Sequence, residues 1–438
     1  MRRSPIALLS LALLACQPAP ERSKDAPEPA KPSAESTPAP APAPAAPEPG
    51  KPAPLRKDLV AEDLPPIPAL EQVGARELAS GELGFPEGTD ELAPRAALAL
   101  GGGLLLAGQA YLDRRPGAPP QSWRWAGFVP SEGEPRSTLY DPGAIRAGIV
   151  DQGEGLLTGT RGTGWDARGW FAKVTADGTI TDETSLDTPN TTELFALIPG
   201  RAAGERAVLA GYVDAQGYLL SLDKAGQRRW EKYIGSYGYT QVRALARREG
   251  GDLLAIGTRA QGFGEAWFAI APGDGGSSAA PDDVSQDKLE IEGADPNRML
   301  RAVVELGAAG YLAVGTARRN HLQAHDQLLV LGFDRSGKPS WSRAIEGLRV
   351  TDIHGLQAHD GGARLLVSVP LDDSPQPRTA LALVTLGAKP SAVVVARQLS
   401  DSEGWTSAGF VEGSPAPELI AYTTSEAGAS WRRLSAAE

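Results

Sequence analysis

Cysteine occurs once in 438 residues, methionine twice and histidine four times. One cysteine excludes any intrachain disulfide, so the fold must rest on its hydrophobic core. A basic patch is lacking too. Lys and Arg number 43 against 54 Asp and Glu, for a net charge of −11. That balance excludes the clustered positive footprint of a nucleic-acid binder and predicts no such partner. The N-terminal apolar run, Ile6 to Ala15, is too short to cross a bilayer as a helix.

What is present is glycine, 51 residues of it, with a hydrophobic fraction of 41%. Glycine at that level predicts many turns and many short strands rather than long helices. The opening "MRRSPIALLSLALLAC" has two arginines, an apolar stretch and small residues before Cys16, the pattern of an export signal. "LLAC" at 13–16 resembles the lipobox of bacterial lipoproteins. The resemblance implies cleavage before Cys16, a diacylglycerol on its sulfur, acylation of the new amino terminus and anchoring in the cell envelope. Gln17 in place of aspartate implies sorting to the outer membrane. Proline fills 13 of the 39 positions from 17 to 55, and no apolar periodicity survives there. Such a segment cannot bury enough surface to order itself, and extends toward about 3.1 Å per residue. The expected division is therefore a signal peptide at 1–15, a disordered Pro/Ala-rich stalk at 16–57 and one folded domain at 58–438.

Within the domain a unit recurs. Aligned on the small residue that closes its first apolar run, it marks Gly108, Gly159, Gly211, Gly257 and Gly315, with steps of 51, 52, 46 and 58 residues. Weaker copies follow at Ser368 and Ala421. Each copy reads as strand, glycine turn, apolar run, polar loop, aromatic-rich run, Asp/Gly turn and a final polar strand. One such sheet cannot bury both faces, so the copies must stack on one another. Radial closure hides the most edge, which predicts an all-β, seven-bladed β-propeller, with six or eight blades as alternatives. The stretch "VGARELAS" (73–80) precedes the first full copy and is expected to complete the last one.

The pattern "GDLLAIGT…WFAI" (251–258, 267–270) resembles bacterial β-propeller repeats found in secreted and lipid-anchored proteins. "LDKAGQRRWEKYIG" and "FDRSGKPSWSRAIEG" resemble the outer hairpins of quinoprotein-like propellers, and Trp230 and Trp341 match the tryptophan that docks one blade on the next. The other copies lack that tryptophan. The resemblance implies architecture far more than function, because this fold hosts enzymes, scaffolds and binders.

Motifs for chemistry are sparse. "GFDRSGKP" (332–339) departs from a phosphate loop at Pro339 and lies between strands, so it reads as a hairpin turn. His321 and His325 are four apart but fall in a polar loop, and no metal is expected. No G-x-S-x-G turn occurs. The second-to-third-strand loops and the connections between copies share one face. They carry Arg161, Trp165, Arg168, Tyr237, Tyr239, Arg259, Phe263, Arg318, Arg319 and His325. Arginine and aromatic residues are what binding surfaces favour. The resulting expectation is a monomeric, lipid-anchored binding or scaffolding module for a protein or glycan, without a cofactor. The alternative is a propeller enzyme, either a quinoprotein-like oxidoreductase or a glycan-cleaving one.

Overall fold

The computed structural model describes residues 71–435, apart from 74, 85, 113–120, 187–190, 236–238, 262, 276–284, 289–297, 318–325, 373–376, 390–394, 400–404, 406, 415–417 and 426–427. By its contacts the chain divides into Met1–Ala53 and Pro54–Glu438. The leader, Cys16 and the stalk lie outside the described residues.

Strands account for nearly all of the described structure. Two open it: β1 (Glu71–Val73) and β2 (Arg76–Leu83). A seven-stranded antiparallel sheet follows, made of β3 (Thr89–Leu100), β4 (Gly103–Leu112), β5 (Gln121–Pro130), β6 (Arg136–Asp151), β7 (Glu154–Arg161), β8 (Arg168–Val174) and β9 (Ile180–Ser185). Its long middle strand β6 pairs with β5 through its first part and with β7 through its second. Three four-stranded sheets come next. The first holds β10 (Thr192–Pro199), β11 (Glu205–Val213), β12 (Gln216–Asp223) and β13 (Arg228–Ile234). The second holds β14 (Thr240–Arg247), β15 (Leu253–Gln261), β16 (Phe263–Ala271) and β17 (Ser285–Lys288). The third holds β18 (Arg298–Glu305), β19 (Tyr311–Ala317), β20 (Asp326–Phe333) and β21 (Pro339–Val350).

The last two sheets recruit the opening strands. β22 (Asp352–His359), β23 (Gly362–Pro370), β24 (Thr379–Leu386) and β25 (Val395–Leu399) take β1 in parallel on their outer edge. β26 (Ser407–Phe410), β27 (Glu418–Ser425) and β28 (Gly428–Ser435) take β2, antiparallel, on β28. The two ends of the described chain thus share one sheet.

Among the described residues the core falls into seven apolar clusters, each lying between neighbouring repeats rather than inside one. One cluster packs Leu98, Leu105 and Phe128 against Leu157, Trp170 and Val174. The next joins Leu156 and Phe171 to Leu194, Leu209 and Leu220. The series continues along the chain, and another cluster joins Ile420, Tyr422 and Trp431 near the C-terminus to Leu92, Leu104 and Trp125 of the first repeat. There the Ala99 amide donates to the Glu412 carbonyl (2.8 Å), and the Glu412 amide donates to the Ala97 carbonyl (2.9 Å). Alternating apolar side chains on both faces of each middle strand produce this arrangement, since every sheet must bury two faces. Polar staples reinforce it. Glu205 and Arg247, both buried, pair at 2.7 Å across two repeats, and the Ser221 hydroxyl donates to the same carboxylate at 2.8 Å. Removing either partner of such a pair would leave a buried charge unpaired.

Candidate functional site

In the first strand of six repeats the ladder to the second strand skips one residue. The skipped residues are Arg95 in β3, Arg146 in β6, Phe195 in β10, Arg243 in β14, Arg301 in β18 and His354 in β22. Each is the extra residue of a β-bulge, a device that re-aims a side chain and bends the strand. The five repeat-marking glycines lie opposite. Gly108, Gly159, Gly211, Gly257 and Gly315 pair with the residue just before the bulge. A Cβ on any of them would overlap the carbonyl oxygen of Ala93, Ala144, Glu193, Gln241 or Met299 respectively. These glycines therefore act within a sheet, where they leave room for the bulge.

Two bulge residues, Phe195 and Arg243, touch directly, and others are tied to the neighbouring side chains. Arg95 approaches Asp352 at 3.9 Å. Arg146 donates to Gln109 Oε1 at 2.9 Å and pairs with Glu193 at 3.5 Å. Glu193 also accepts the Tyr212 hydroxyl at 2.9 Å, and Tyr212 packs 5.7 Å from the Phe195 ring. The Arg243 guanidinium lies 4.0 Å from the Phe195 ring centroid, a cation–π stack, and donates to Gln241. Burial pushes Arg243 down to about 10, and the nearby Arg301 and Arg146 charges push in the same direction. Three guanidinium groups thus feel each other's field. Burial also holds the His354 imidazole below its ordinary value; Asp352 opposes this and Arg95 adds to it.

A cavity of about 190 Å³ opens between β3, β6, β22 and the β26–β27 pair. Arg95, Arg146 and His354 reach it, together with Glu412, Phe410 and Tyr422. Glu412 is exposed by surface area, and the chain packed around it raises its carboxyl by partial desolvation. Tyr422 is 2% exposed, and its buried hydroxyl has no partner among the described residues. Leaving such a buried donor unmatched costs about 1–3 kcal/mol.

Of the four bulge arginines only Arg95 and Arg146 line the cavity; counted with Arg243 and Arg301 they exceed the carboxylates of Glu193, Asp352 and Glu412 by one, within a chain whose overall charge is strongly negative. Walls of low dielectric focus such a field, so the arrangement can draw in and hold an anion. The His354 Nε2 to Ser368 Oγ separation of 2.7 Å has the spacing of a base and a nucleophile. Ser368 is only 5% exposed, however, and does not line the cavity, so a substrate in the cavity does not meet it. Among the described residues no group of three His, Cys, Asp or Glu side chains stands close enough to hold a metal ion.

The residues nominated from sequence fall into two groups. Arg161, Trp165 and Arg168 share the β7–β8 connection. Trp165 is 90% exposed on the short 3-10 turn Gly164–Asp166. Arg161 pairs with Asp141 at 2.5 Å, and Arg168 donates to the Ala167 carbonyl at 3.2 Å. Tyr239 is 65% exposed with φ of 61°, just ahead of β14, and Arg259 is half-buried opposite Thr240. Gly143 pairs with Arg161 three residues before Arg146, and Thr240 pairs with Arg259 three residues before Arg243. Both groups therefore lie at the strand ends nearest the bulges. Phe263 begins β16. Its side chain, along with Tyr237, Arg318, Arg319, His321 and His325, lies outside the described residues. Trp230 packs on Gly275 of the following repeat, and Trp341 covers Gly332 on its own partner strand.

The bulge residues themselves escaped the sequence reading, although a signal was there. The first strands read PRA, IRA, LFA, VRA, LRA and IHG at 94–96, 145–147, 194–196, 242–244, 300–302 and 353–355. Aligning first strands, instead of the glycine-bearing second ones, would have stacked these middle residues in one column.

No family model and no curated protein matches the chain. Among solved structures, a Pseudomonas brassicacearum lignostilbene dioxygenase aligns with a TM-score of 0.48 at 11% identity, covering 85% of this chain and 95% of that one. A protein of unknown function from Dyadobacter fermentans aligns at 0.46 and 13%, covering 83% and 99%. Chaetomium thermophilum Sqt1, bound to the N-terminus of ribosomal protein L10, aligns at 0.45 and 13%, covering 80% and 85%. These neighbours include propeller-type folds. Likeness at this level assigns no activity, ligand or partner.

Proposed function

We propose that residues 58–438 form a seven-bladed propeller closed by β2 on β28, and that its channel binds an anionic ligand. In this reading the domain is a binding module, held at the envelope by lipid on Cys16 behind the proline-rich stalk. Closure is supported by the shared sheet of the two chain ends and by the cluster joining the last repeat to the first. One observation carries the functional reading: arginine recurs at equivalent bulges in four repeats, where a purely structural bulge would tolerate any side chain. The exposed Trp165 and Tyr239 lie near the strand ends closest to the bulges at Arg146 and Arg243.

Calorimetry on the full chain tests this, with butyrate, inorganic phosphate, succinate and a neutral oligosaccharide as probes. Saturable, salt-sensitive binding of at least one anion is expected, with none of the oligosaccharide. Replacing Arg95, Arg146, Arg243 and Arg301 together by glutamine should weaken that binding at least ten-fold. Absence of anion binding, or an unaffected fourfold variant, overturns the reading. Palmitate labelling of wild type but not of Cys16→Ser tests the anchor.

A further inference from the structure

Beyond the channel, we propose that the rim formed by the β7–β8 loop, the β11–β12 hairpin and the approach to β14 docks an extended, arginine-bearing segment of a protein partner. Its guanidinium groups stack on Trp165, Tyr233 and Tyr239 and meet the carboxylates of Asp166 and Asp214.

The first argument is where apolar surface is left uncovered. Among the described residues four large hydrophobic side chains are exposed: Leu78, Trp165, Tyr233 and Tyr239. The three aromatic ones belong to repeats two and three and to the link into repeat four, near the same strand ends. Backbone hydrogen bonds lace these loops together. The Thr192 amide donates to the Ala167 carbonyl (3.1 Å), the Asp214 amide to the Thr191 carbonyl (3.2 Å) and the Thr240 amide to the Ala215 carbonyl (2.9 Å). Tyr233 joins the same edge by pairing with Tyr218 on β12, close behind the Asp214–Ala215 hairpin. Burial, with the Glu231 and Asp214 carboxylates, raises its phenol. Aromatic side chains on a braced backbone are what interfaces are built around.

Backbone conformation is the second argument. Tyr239 is held at φ of 61°, a left-handed geometry that a bulky residue adopts only where its surroundings impose it. That strain achieves no burial, since the residue is 65% exposed. Charge is the third. Arg161 is taken by Asp141, and Arg259 stands opposite Glu265 in its ladder. Arg168 is then the one cation set against Asp166 and Asp214, on a chain of net charge −11. Such a field draws in a cationic partner and turns an anionic one away. The last argument is shape. At 90% exposure Trp165 projects from its turn instead of lining a cleft, unlike the concave walls that enclose a small ligand. Its open indole faces suit a planar guanidinium better than an ammonium.

Fluorescence-anisotropy titrations of the full chain with dye-labelled tetraarginine, tetralysine, tetraglutamate and cellotetraose test the inference. Tetraarginine is expected to bind saturably and at least about five-fold more tightly than tetralysine, with no binding of the other two. Trp165→Ala leaves every charge in place and removes an exposed side chain, so it should fold normally and weaken tetraarginine by about ten-fold or more. Asp166→Asn with Asp214→Asn should cost about five-fold and flatten the salt dependence. Tyr239→Ala should cost about three-fold. Leu78→Ala, on the outer strand β2, should change nothing, and neither should Arg95→Gln with Arg146→Gln in the channel. An unaffected Trp165→Ala, or equal binding of tetralysine, means that only the overall charge of the chain attracts the peptide, and overturns the proposal. Cellotetraose binding that Trp165→Ala abolishes also overturns it, by making the rim a glycan site. The channel arginines lie outside the rim, so failure of anion binding leaves this inference standing, and failure of tetraarginine binding leaves the channel reading standing.

Discussion

Repeats one to five differ from repeats six and seven at one position of the second strand. The first five place glycine opposite the bulge. The sixth keeps its bulge at His354 but places Val367 opposite Ile353, one residue before the Ser368 that the sequence alignment selects. The seventh pairs Ser407–Phe410 with Leu419–Tyr422 without a skip. In this chain, then, a glycine at this one second-strand position marks a bulge in five repeats, yet in the sixth a bulge forms without it. The glycine is the footprint of the device. The residue that the device presents is one strand away.

The sharpest way to test that difference is to remove it. Gly257→Val puts a branched side chain against the Gln241 carbonyl, which belongs to a hydrogen-bonded ladder and has no room to retreat. We expect a loss of about 3 kcal/mol, at the upper end for overpacking, read by chemical denaturation. A loss under about 1 kcal/mol would mean that the bulge does not depend on this glycine. The reverse exchange, Val367→Gly, should cost about 2 kcal/mol. Val367 is fully buried in the cluster that also holds Trp341, and its bulge already exists without glycine. If Val367→Gly stabilised the protein instead, glycine would be the preferred residue in all six bulged repeats and the contrast would dissolve.

This contrast also explains what the sequence could convey. The repeat, its length and its strand-rich character were legible because apolar runs and Gly/Asp turns report backbone geometry locally. Gly108 through Gly315 stood out because a steric demand leaves one residue type and no other. The bulge residues carry no such demand. Arginine, phenylalanine and histidine all occupy the position, and only the register of the ladder reveals that they are equivalent. Arg161, Trp165 and Arg168 were found as a composition of one loop, but Asp141 lies twenty residues before Arg161, so their ion pair could not be read from that loop. The cavity was invisible for a stronger reason: its walls come from residues 94–97, 146–148, 354–356 and 408–422, a set joined only by the packing of the last repeats on the first.

Glu412 sharpens the comparison from the opposite side: it follows the first strand of the seventh repeat and adds a carboxyl to the cavity that Arg95 and Arg146 line. Burial raises its folded-state value above the ordinary 4.5, so the folded chain holds that proton more tightly than the unfolded chain. Stability from this group is complete below the unfolded value and is lost as pH rises through the raised one. Glu412→Gln cannot lose a proton. The variant should therefore gain on wild type in thermal midpoint between about pH 4 and pH 7, by less than Val367→Gly changes it. A constant difference across that range would mean that Glu412 titrates as an ordinary surface carboxyl.

The smallest effect concerns the cationic repeats themselves. Arg301 is exposed, has no carboxylate partner among the described residues, and contributes to the depression of Arg243 to about 10. Holding these like charges together costs stability, and Arg301→Gln should recover a few tenths of a kcal/mol, the scale of exposed charge interactions. Phe195 helps Arg243 tolerate its neighbours by stacking beneath it, and that contact is untouched by the substitution. The gain should appear at about 0.02 M salt and vanish near 1 M, where screening acts within about 3 Å. A gain that survives high salt would point to packing, and a loss would mean that Arg301 makes a stabilising contact. The predicted pattern, a cation whose removal helps the fold, is the expected mark of a residue kept for what it binds.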